Sequence, residues 1–349
     1  MTSHPSAVNG DSVSSAGKTS RWRDGAWLIP AFISAISLSY AFLDWEIYRQ
    51  QFLVHPDGWM LYFSGGIQAP WQYRIGVWEV VLWLYQWFHL KPYDALTLID
   101  VVCLALSLWL ILRVLRHFEG YKTASLPMRW LATAGVLFLA EYYVVWGHWF
   151  QTEDTMPSIL FVALSVALVC GELVQSRILA CLLLVCLGWV QGFIRADVAV
   201  MLHAGFFLAV VFSKKTVPLG RAWQAATSLL AGLAAGCVQL YLMRVRFPNA
   251  HYGSEGVVQL TNNLKPEMWG TMLLALLPFG LLLGLVITKR HRPSAVTVML
   301  LTGSLLYFPL WATVGLLDEV RIFLPFAFAL IPATVWALIG LMPPADSEN

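Results

Sequence analysis

The chain has 349 residues, of which 58% are hydrophobic and only 12% are charged. A soluble domain averages about 25% charged residues, so this composition excludes an ordinary soluble fold. The formal net charge of +2 gives no reason to expect a nucleic acid partner, and we expect membrane lipids to surround most of the chain.

The N-terminal 25 residues are rich in Ser, Gly and Thr, and we predict a disordered tail over 1–25. The apolar run that follows, 26–43, is too long for the core of a usual signal peptide. It also lacks a small-residue cleavage site before Asp44. We therefore interpret this run as a first membrane span that is retained.

Further apolar runs approach the ~20 residues with which a helix crosses the hydrocarbon core of a bilayer. They predict an all-α, polytopic transmembrane bundle over 26–341, with a short cytoplasmic tail at 342–349. The ten predicted spans are 26–43, 95–115, 130–148, 156–174, 178–194, 197–213, 222–242, 269–287, 295–314 and 320–340.

The distribution of Lys and Arg predicts the orientation of the bundle. Basic residues cluster in every second connection, and such connections face the cytoplasm by the positive-inside rule. Both termini are then cytoplasmic. The basic segments are the N-terminal tail, 113–129, Arg177, 214–221 and 289–292.

One apolar segment, 75–90, does not fit this alternation, because every later basic connection would face outward if it crossed the membrane. Its stripe of large side chains is typical of a helix that lies in the membrane interface. We therefore predict a long outer loop over 44–94 that contains this surface helix, and a second outer loop over 243–268. The stripe consists of Trp78, Leu82 and Tyr85.

Most other ionisable residues fall in the predicted outer connections, where a solvated loop charge is the simplest interpretation. Glu153 and Asp154 directly precede a span, where carboxylates suit a helix N-terminus or hold a divalent cation together with substrate phosphates. Arg321 is placed to clamp a phosphate. The sequence contains no HExxH, GxSxG or Walker-type motif and no CxxC pair, so zinc hydrolase, serine hydrolase and ATPase chemistry gain no support.

Three segments carry a resemblance to a known family. They are Asp57-Gly followed by Ala69-Pro-Trp-Gln-Tyr-Arg74, then Glu153-Asp-Thr-Met-Pro, and finally Glu319-Val-Arg-Ile-Phe-Leu-Pro325. In this order they resemble the integral-membrane glycosyltransferases of the C-type (GT-C) fold. The similarity is greatest to the bacterial branch related to protein mannosyltransferases and lipid A aminoarabinose transferases. Those relatives often have Asp-Glu where this chain has Asp-Gly.

The resemblance implies an enzyme of the bacterial inner membrane that acts at the extracytoplasmic face. Its donor would be a sugar linked to polyprenyl phosphate, and its acceptor a glycan, a lipid or a protein. By this resemblance Asp57 is the general base, and Glu153 and Asp154 bind a divalent metal ion (Mg or Mn) or the acceptor. The implied substrate-binding residues are Tyr62, Tyr73, Arg74, Arg195 and Arg321.

Two alternatives remain open at this point. A transporter or flippase for lipid-linked glycans would have ionisable residues deep in the bundle, for which Asp100 and Glu141 are the candidates. A polymerase or an inactive assembly subunit is the other alternative. Outer charges that converge on one cavity favour an enzyme, whereas scattered and singly solvated charges favour an inactive subunit.

Overall fold

The protein is described by a computed structural model, and all of its long elements are α-helices. The predicted all-helical class is therefore confirmed. The structure describes residues 27–146, 152–213, 219–251, 258–317 and 319–341.

Eleven longer helices form the bundle within these residues, and two helices of four residues lie in the outer connections, at Leu61–Ser64 and Leu260–Asn263. The longer helices are α1 Leu28–Val54, α2 Ile75–Phe88, α3 Pro92–Leu115, α4 Leu126–Trp146, α5 Thr155–Val169, α6 Arg177–Phe212, α7 Arg221–Tyr241, α8 Trp269–Ala275, α9 Leu277–Ile287, α10 Ala295–Val314 and α11 Leu324–Ile339.

Five of the described helices are long and apolar enough to cross a membrane, namely α1, α3, α6, α10 and α7 with the turn that extends it. The segment Pro266–Ala275 and α9 meet at 72° and make a sixth if they form one broken span. Two shorter helices, α5 and α11, are also apolar. A helical membrane protein is thus supported, while the count of ten spans stays a prediction.

The helix α6 contains a break at Arg195, where φ is −146° and ψ is 77°. On one straight helix, Gly188 and His203 would be roughly 22 Å apart. Instead, Gly188 packs against Ala231 while His203 packs against Gly232, which is the next residue of α7. The chain therefore turns back at Arg195, and both halves of α6 pack against α7. This is the break predicted between 178–194 and 197–213.

Polar contacts between distant helices show which helix ends lie together. Arg113 in the last turn of α3 and His117 just after this helix lie 3.9 and 2.6 Å from Glu172, which follows α5. The indole of Trp336 in α11 donates to the carbonyl of Glu119. All five residues belong to helix ends or connections on the side that the sequence predicts to be cytoplasmic.

We call the opposite end of the bundle the site end. Asp154 lies there because α5 runs from this residue toward Glu172. The break at Arg195 also lies there, since its guanidinium reaches Asp154. The C-terminal part of α1 meets the start of α3 through a hydrogen bond of 2.9 Å from Trp45 to Asp94.

The helix α2 lies along the site end and does not cross the bundle. Its 14 residues span about 21 Å, which is less than the ~30 Å hydrocarbon core. At its start, a Cβ atom on Gly76 would lie 3.0 Å from Phe193, next to the break in α6. At its end, three residues separate it from Pro92 at the start of α3. The predicted segment 75–90 therefore contains a helix, and its position on the membrane surface stays a prediction.

Candidate functional site

A cavity of about 1150 Å³ opens at the site end between α6, α7, α10 and the loop before α2. One part of its wall is polar and contains three arginines. The rest is an apolar arm that continues between α6 and α7. The polar wall includes Arg74, Arg195, Asp197, Glu319 and Arg321, and the apolar arm includes Val200, Ala204, Phe207, Leu229, Leu233 and Leu240.

Arg195 is the centre of the polar wall and is only 1% exposed. Its Nε and Nη2 atoms donate to the two carboxylate oxygens of Asp197 at 3.0 and 2.7 Å. This two-pronged contact within one turn is possible because Arg195 leaves the helical conformation. Nη2 also lies 2.6 Å from the hydroxyl of Tyr307 in α10, which donates to Asp197 at 2.7 Å.

Asp154 is fully buried and joins two of the arginines. Its Oδ2 atom lies 3.3 Å from Arg74 and 3.5 Å from Arg195. Burial alone would raise the pKa of this carboxyl group, but Arg74, Arg195, a hydrogen bond from Thr152 and Arg321 outweigh it and lower the pKa. Asp154 is therefore ionised, and it fixes the direction of both guanidinium groups.

Trp71 connects the other side of the polar wall. The guanidinium carbons of Arg74 and Arg321 lie 4.7 and 5.0 Å from the centre of its ring. Such cation–π contacts stabilise a guanidinium against an aromatic face. Arg321 also pairs with Glu319 at 3.1 Å. One indole thereby holds two cations from distant parts of the chain near each other.

The loop that carries Trp71 and Arg74 is fixed by its own polar residues. Gln72 is fully buried; its amide donates to the carbonyl of Tyr62 and accepts from the backbone N–H of Ile67. Tyr73 is buried and lines the cavity, and its hydroxyl donates to the carbonyl of Ala250 at 3.4 Å. The motif that suggested the family resemblance therefore shapes this part of the wall.

Glu153 points away from its neighbour Asp154. Its Oε1 atom accepts hydrogen bonds from the hydroxyl of Tyr62 at 3.0 Å and from the indole of Trp78 at 3.2 Å. Burial, followed by the charge of Asp154, raises the pKa of Glu153. Two adjacent carboxyl groups thus have pKa values shifted in opposite directions, and each has different partners.

The structure brings together only some of the residues predicted from the sequence. Arg74, Arg195, Arg321 and Tyr73 line the cavity, and Asp154 supports two of the arginines from behind. Tyr62 and Glu153 form a separate contact outside the cavity wall.

Asp57 is exposed and does not line this cavity. It precedes a short turn, Gly58–Met60, and its backbone carbonyl accepts a hydrogen bond from the N–H of Met60. Asp57 therefore contributes to a turn, and its role as a general base stays a prediction.

The predicted metal ligands do not form an evident ligand set. Asp154 faces two arginines and Glu153 faces a tyrosine and an indole. Among the described residues, no group of three His, Cys, Asp or Glu side chains is placed to hold a metal ion. These contacts favour Asp154 as an ion-paired carboxylate over a metal ligand.

Sequence reasoning missed several residues of the site. Tyr307 lies in the middle of an apolar run, and only its hydroxyl group sets it apart there. Asp197 belongs to a predicted outer connection, where nothing in the sequence distinguishes it from a solvated charge. His203 lines the apolar arm, and neither ring nitrogen has a hydrogen-bond partner among the described residues.

Comparison of this chain with protein-family models, with curated proteins and with solved structures found no match.

Proposed function

We propose that this protein is a membrane glycosyltransferase of the GT-C type that transfers a sugar from a polyprenyl-phosphate donor at the extracytoplasmic face. One observation carries the proposal: the cavity joins an arginine-rich wall to a long apolar arm. A lipid-linked phosphate has the same two parts, an anionic head and a hydrocarbon chain. The ten spans, the GT-C fold and the cytoplasmic termini belong to this proposal.

The polar wall suits a phosphate because of its donors rather than its net charge. Arg74, Arg195 and Arg321 are accompanied by three carboxylates, so the wall is close to neutral. Arg74 and Arg321 each pair with a carboxylate, and a guanidinium has five N–H donors in a rigid fork. Such forks match the oxygens of a phosphate, and guanidinium groups held in place stabilise the charge that develops on a departing phosphate.

In the reaction, the oxygen of an acceptor hydroxyl bonds to the anomeric carbon of the sugar. The bond from that carbon to the phosphate oxygen breaks, and the phosphate leaves on its lipid. The hydroxyl proton passes to a carboxylate, which must come within ~3 Å of it. The family resemblance implies Asp57 for this role, whereas Asp197 and Glu319 are the carboxylates of the cavity wall.

The apolar arm offers a direct test of lipid binding. Gly236 lines the arm, and a Cβ atom there would meet nothing within 4 Å. Gly236→Leu should fill the arm without disturbing its neighbours. Gly284 in α9 is exposed and equally open, so Gly284→Leu is the matched control.

Binding of polyprenyl phosphate to the purified variants is measured by native mass spectrometry. We expect Gly236→Leu to lower occupancy at least tenfold and Gly284→Leu to leave it unchanged. Equal occupancy in both variants would refute the assignment of the arm.

The base is tested by three amide substitutions, Asp57→Asn, Asp197→Asn and Glu319→Gln. Loss of a general base typically slows turnover by about 10²–10⁴-fold. Lipid-linked glycans and surface polymers of a deletion strain carrying each variant are compared by intact mass. Asp57 is the base if its variant alone loses the product while the protein level is normal. If Asp57→Asn forms as much product as wild type, Asp57 is a turn residue and not the base.

A transporter of lipid-linked glycans is the second candidate, and one observation favours it. Asp44 in α1 and Asp100 in α3 are 4% and 1% exposed, and buried carboxyl groups within spans often mark ion or proton pathways. Purified protein in vesicles separates the two functions. A transferase forms a new glycosidic product, whereas a transporter only moves the labelled lipid between leaflets.

A further inference from the structure

Asp44 and Asp100 lie outside the cavity wall and have no role in the transfer described above. They come from α1 and α3, and Asp44 lies one helical turn before Tyr48, whose hydroxyl donates to Asp100 at 2.9 Å. Among the described residues, neither takes part in an ion pair with Lys, Arg or His. Two carboxylates that are close together and buried cannot both ionise without a large cost.

The hydrogen bonds around the pair leave one oxygen of each carboxyl group without a donor. Tyr40 donates to Oδ1 of Asp44 at 3.3 Å, and Tyr48 donates to Oδ2 of Asp100 at 2.9 Å. The other atoms, Oδ2 of Asp44 and Oδ1 of Asp100, are buried and have no partner among the described residues. A buried acceptor without a donor is destabilising, and a proton between the two carboxyl groups would satisfy both.

We propose that Asp44 and Asp100 form a buried proton-binding site that holds one shared proton between α1 and α3. The proton makes one carboxyl group the donor to the other and halves the charge that is buried there. Tyr40 and Tyr48 each hold one oxygen of a carboxyl group, and the proton is shared between the two remaining oxygens. The proposal does not depend on glycosyl transfer and applies equally to a transporter.

The surroundings of the pair support a proton as the ligand. The other ionisable groups near it are Cys103 on α3 and Glu153 before α5, which interact electrostatically with Asp100. None of these neighbours supplies a positive charge. A metal ion is not favoured, because no group of three His, Cys, Asp or Glu side chains is arranged around one point in the described residues.

Infrared spectroscopy of the full-length protein in lipid nanodiscs tests the shared proton. A protonated carboxyl group has a C=O stretching band that is separate from the carboxylate bands and shifts on deuteration. We expect wild type to have this band at neutral pH, and Asp44→Asn and Asp100→Asn each to lose it. In each variant an amide N–H replaces the shared proton, so the remaining carboxyl group ionises.

Two further variants make the assignment specific. Glu153→Gln identifies any band from Glu153, and Glu46→Gln changes a half-exposed carboxyl group on the same helix as Asp44. A band that survives in both pair variants, or that is lost in only one of them, would overturn the proposal.

If a pair variant does not fold, titration of the wild-type band decides. Loss of one proton in a single step, in wild type and in Glu46→Gln alike, supports the shared site. The absence of any such band from wild type at neutral pH refutes it.

Discussion

The hydroxyl oxygen of Tyr307 lies 2.6 Å from Nη2 of Arg195 and 2.7 Å from a carboxylate oxygen of Asp197. All three groups are therefore in contact with one another. Arg195 and Asp197 sit at the break of α6, and Tyr307 comes from the middle of α10. The contact fixes the polar wall of the cavity to a helix 110 residues further along the chain.

Tyr307→Phe should destabilise the protein by about 1–3 kcal/mol, because it removes a buried donor to Asp197 and an acceptor for Arg195. Thermal unfolding in detergent measures the loss. Tyr241→Phe, at an exposed position of α7, is the control and should be neutral. An unfolding temperature equal to wild type in Tyr307→Phe would show that the contact does not stabilise the fold.

The opposite pKa shifts of Glu153 and Asp154 predict a pH-dependent effect of Glu153→Gln. The pKa of Glu153 is raised by burial and by Asp154. A raised pKa means that its contribution to stability is full below the ordinary value of about 4.3 and is lost as the pH rises through the raised value. Glutamine keeps the oxygen that accepts from Tyr62 and Trp78 but carries no charge.

Glu153→Gln should therefore gain stability relative to wild type as the pH increases toward neutrality. Unfolding temperatures across a pH series measure this gain, with Glu46→Gln as the control. A difference from wild type that is the same at every pH would contradict the raised pKa.

The contacts of Asp154 also predict how the protein responds to a chelator. Because this carboxylate is paired with Arg74 and Arg195, we expect glycan transfer to continue after divalent ions are removed. Asp154→Asn should instead act through stability, since breaking a buried ion pair costs about 3–5 kcal/mol. If a chelator stops glycan transfer, and Asp154→Asn needs more metal than wild type, Asp154 is a metal ligand.

Close packing between α6 and α10 depends on a glycine. A Cβ atom on Gly205 would overlap the backbone of Gly303, so Gly205→Ala should overpack this contact and cost about 1–3 kcal/mol. The same change at Gly284, where nothing lies within 4 Å, should be neutral or stabilise α9, because alanine favours a helix by about 1 kcal/mol. Thermal unfolding of the two variants compares these effects, and equal stabilities would contradict the packing.

The orientation of the bundle can be tested with topology reporters. The basic connections predict that a reporter fused after Asn349 is active only in the cytoplasm. A reporter inserted near Lys91, directly after α2, should report the extracytoplasmic side. A cytoplasmic signal at Lys91 would mean that α2 crosses the membrane.

Much of the helical framework could be predicted from the sequence, because long apolar runs and charged breaks are local signals. The break near Arg195 is an example, since two charged residues interrupt an apolar run. The same kind of reasoning predicted a helix over 75–90, and the structure has α2 there; its position on the membrane surface stays a prediction.

The site was harder to predict because it depends on contacts between distant residues. Nothing in the sequence near Tyr307 indicates that it meets Arg195, and nothing near Asp44 indicates that Asp100 lies opposite. Asp57 was predicted to be the general base from a short motif, and that motif does not indicate whether the side chain is exposed.

The arginine wall lies at only one end of the bundle, and the apolar arm extends from it along α6 and α7. A lipid whose phosphate reaches this wall must therefore belong to the leaflet at the site end. A lipid-linked sugar assembled in the other leaflet would first have to be translocated across the membrane by a separate activity. For the proposed lipid-linked donor, the asymmetry of the cavity would set the leaflet from which it is drawn.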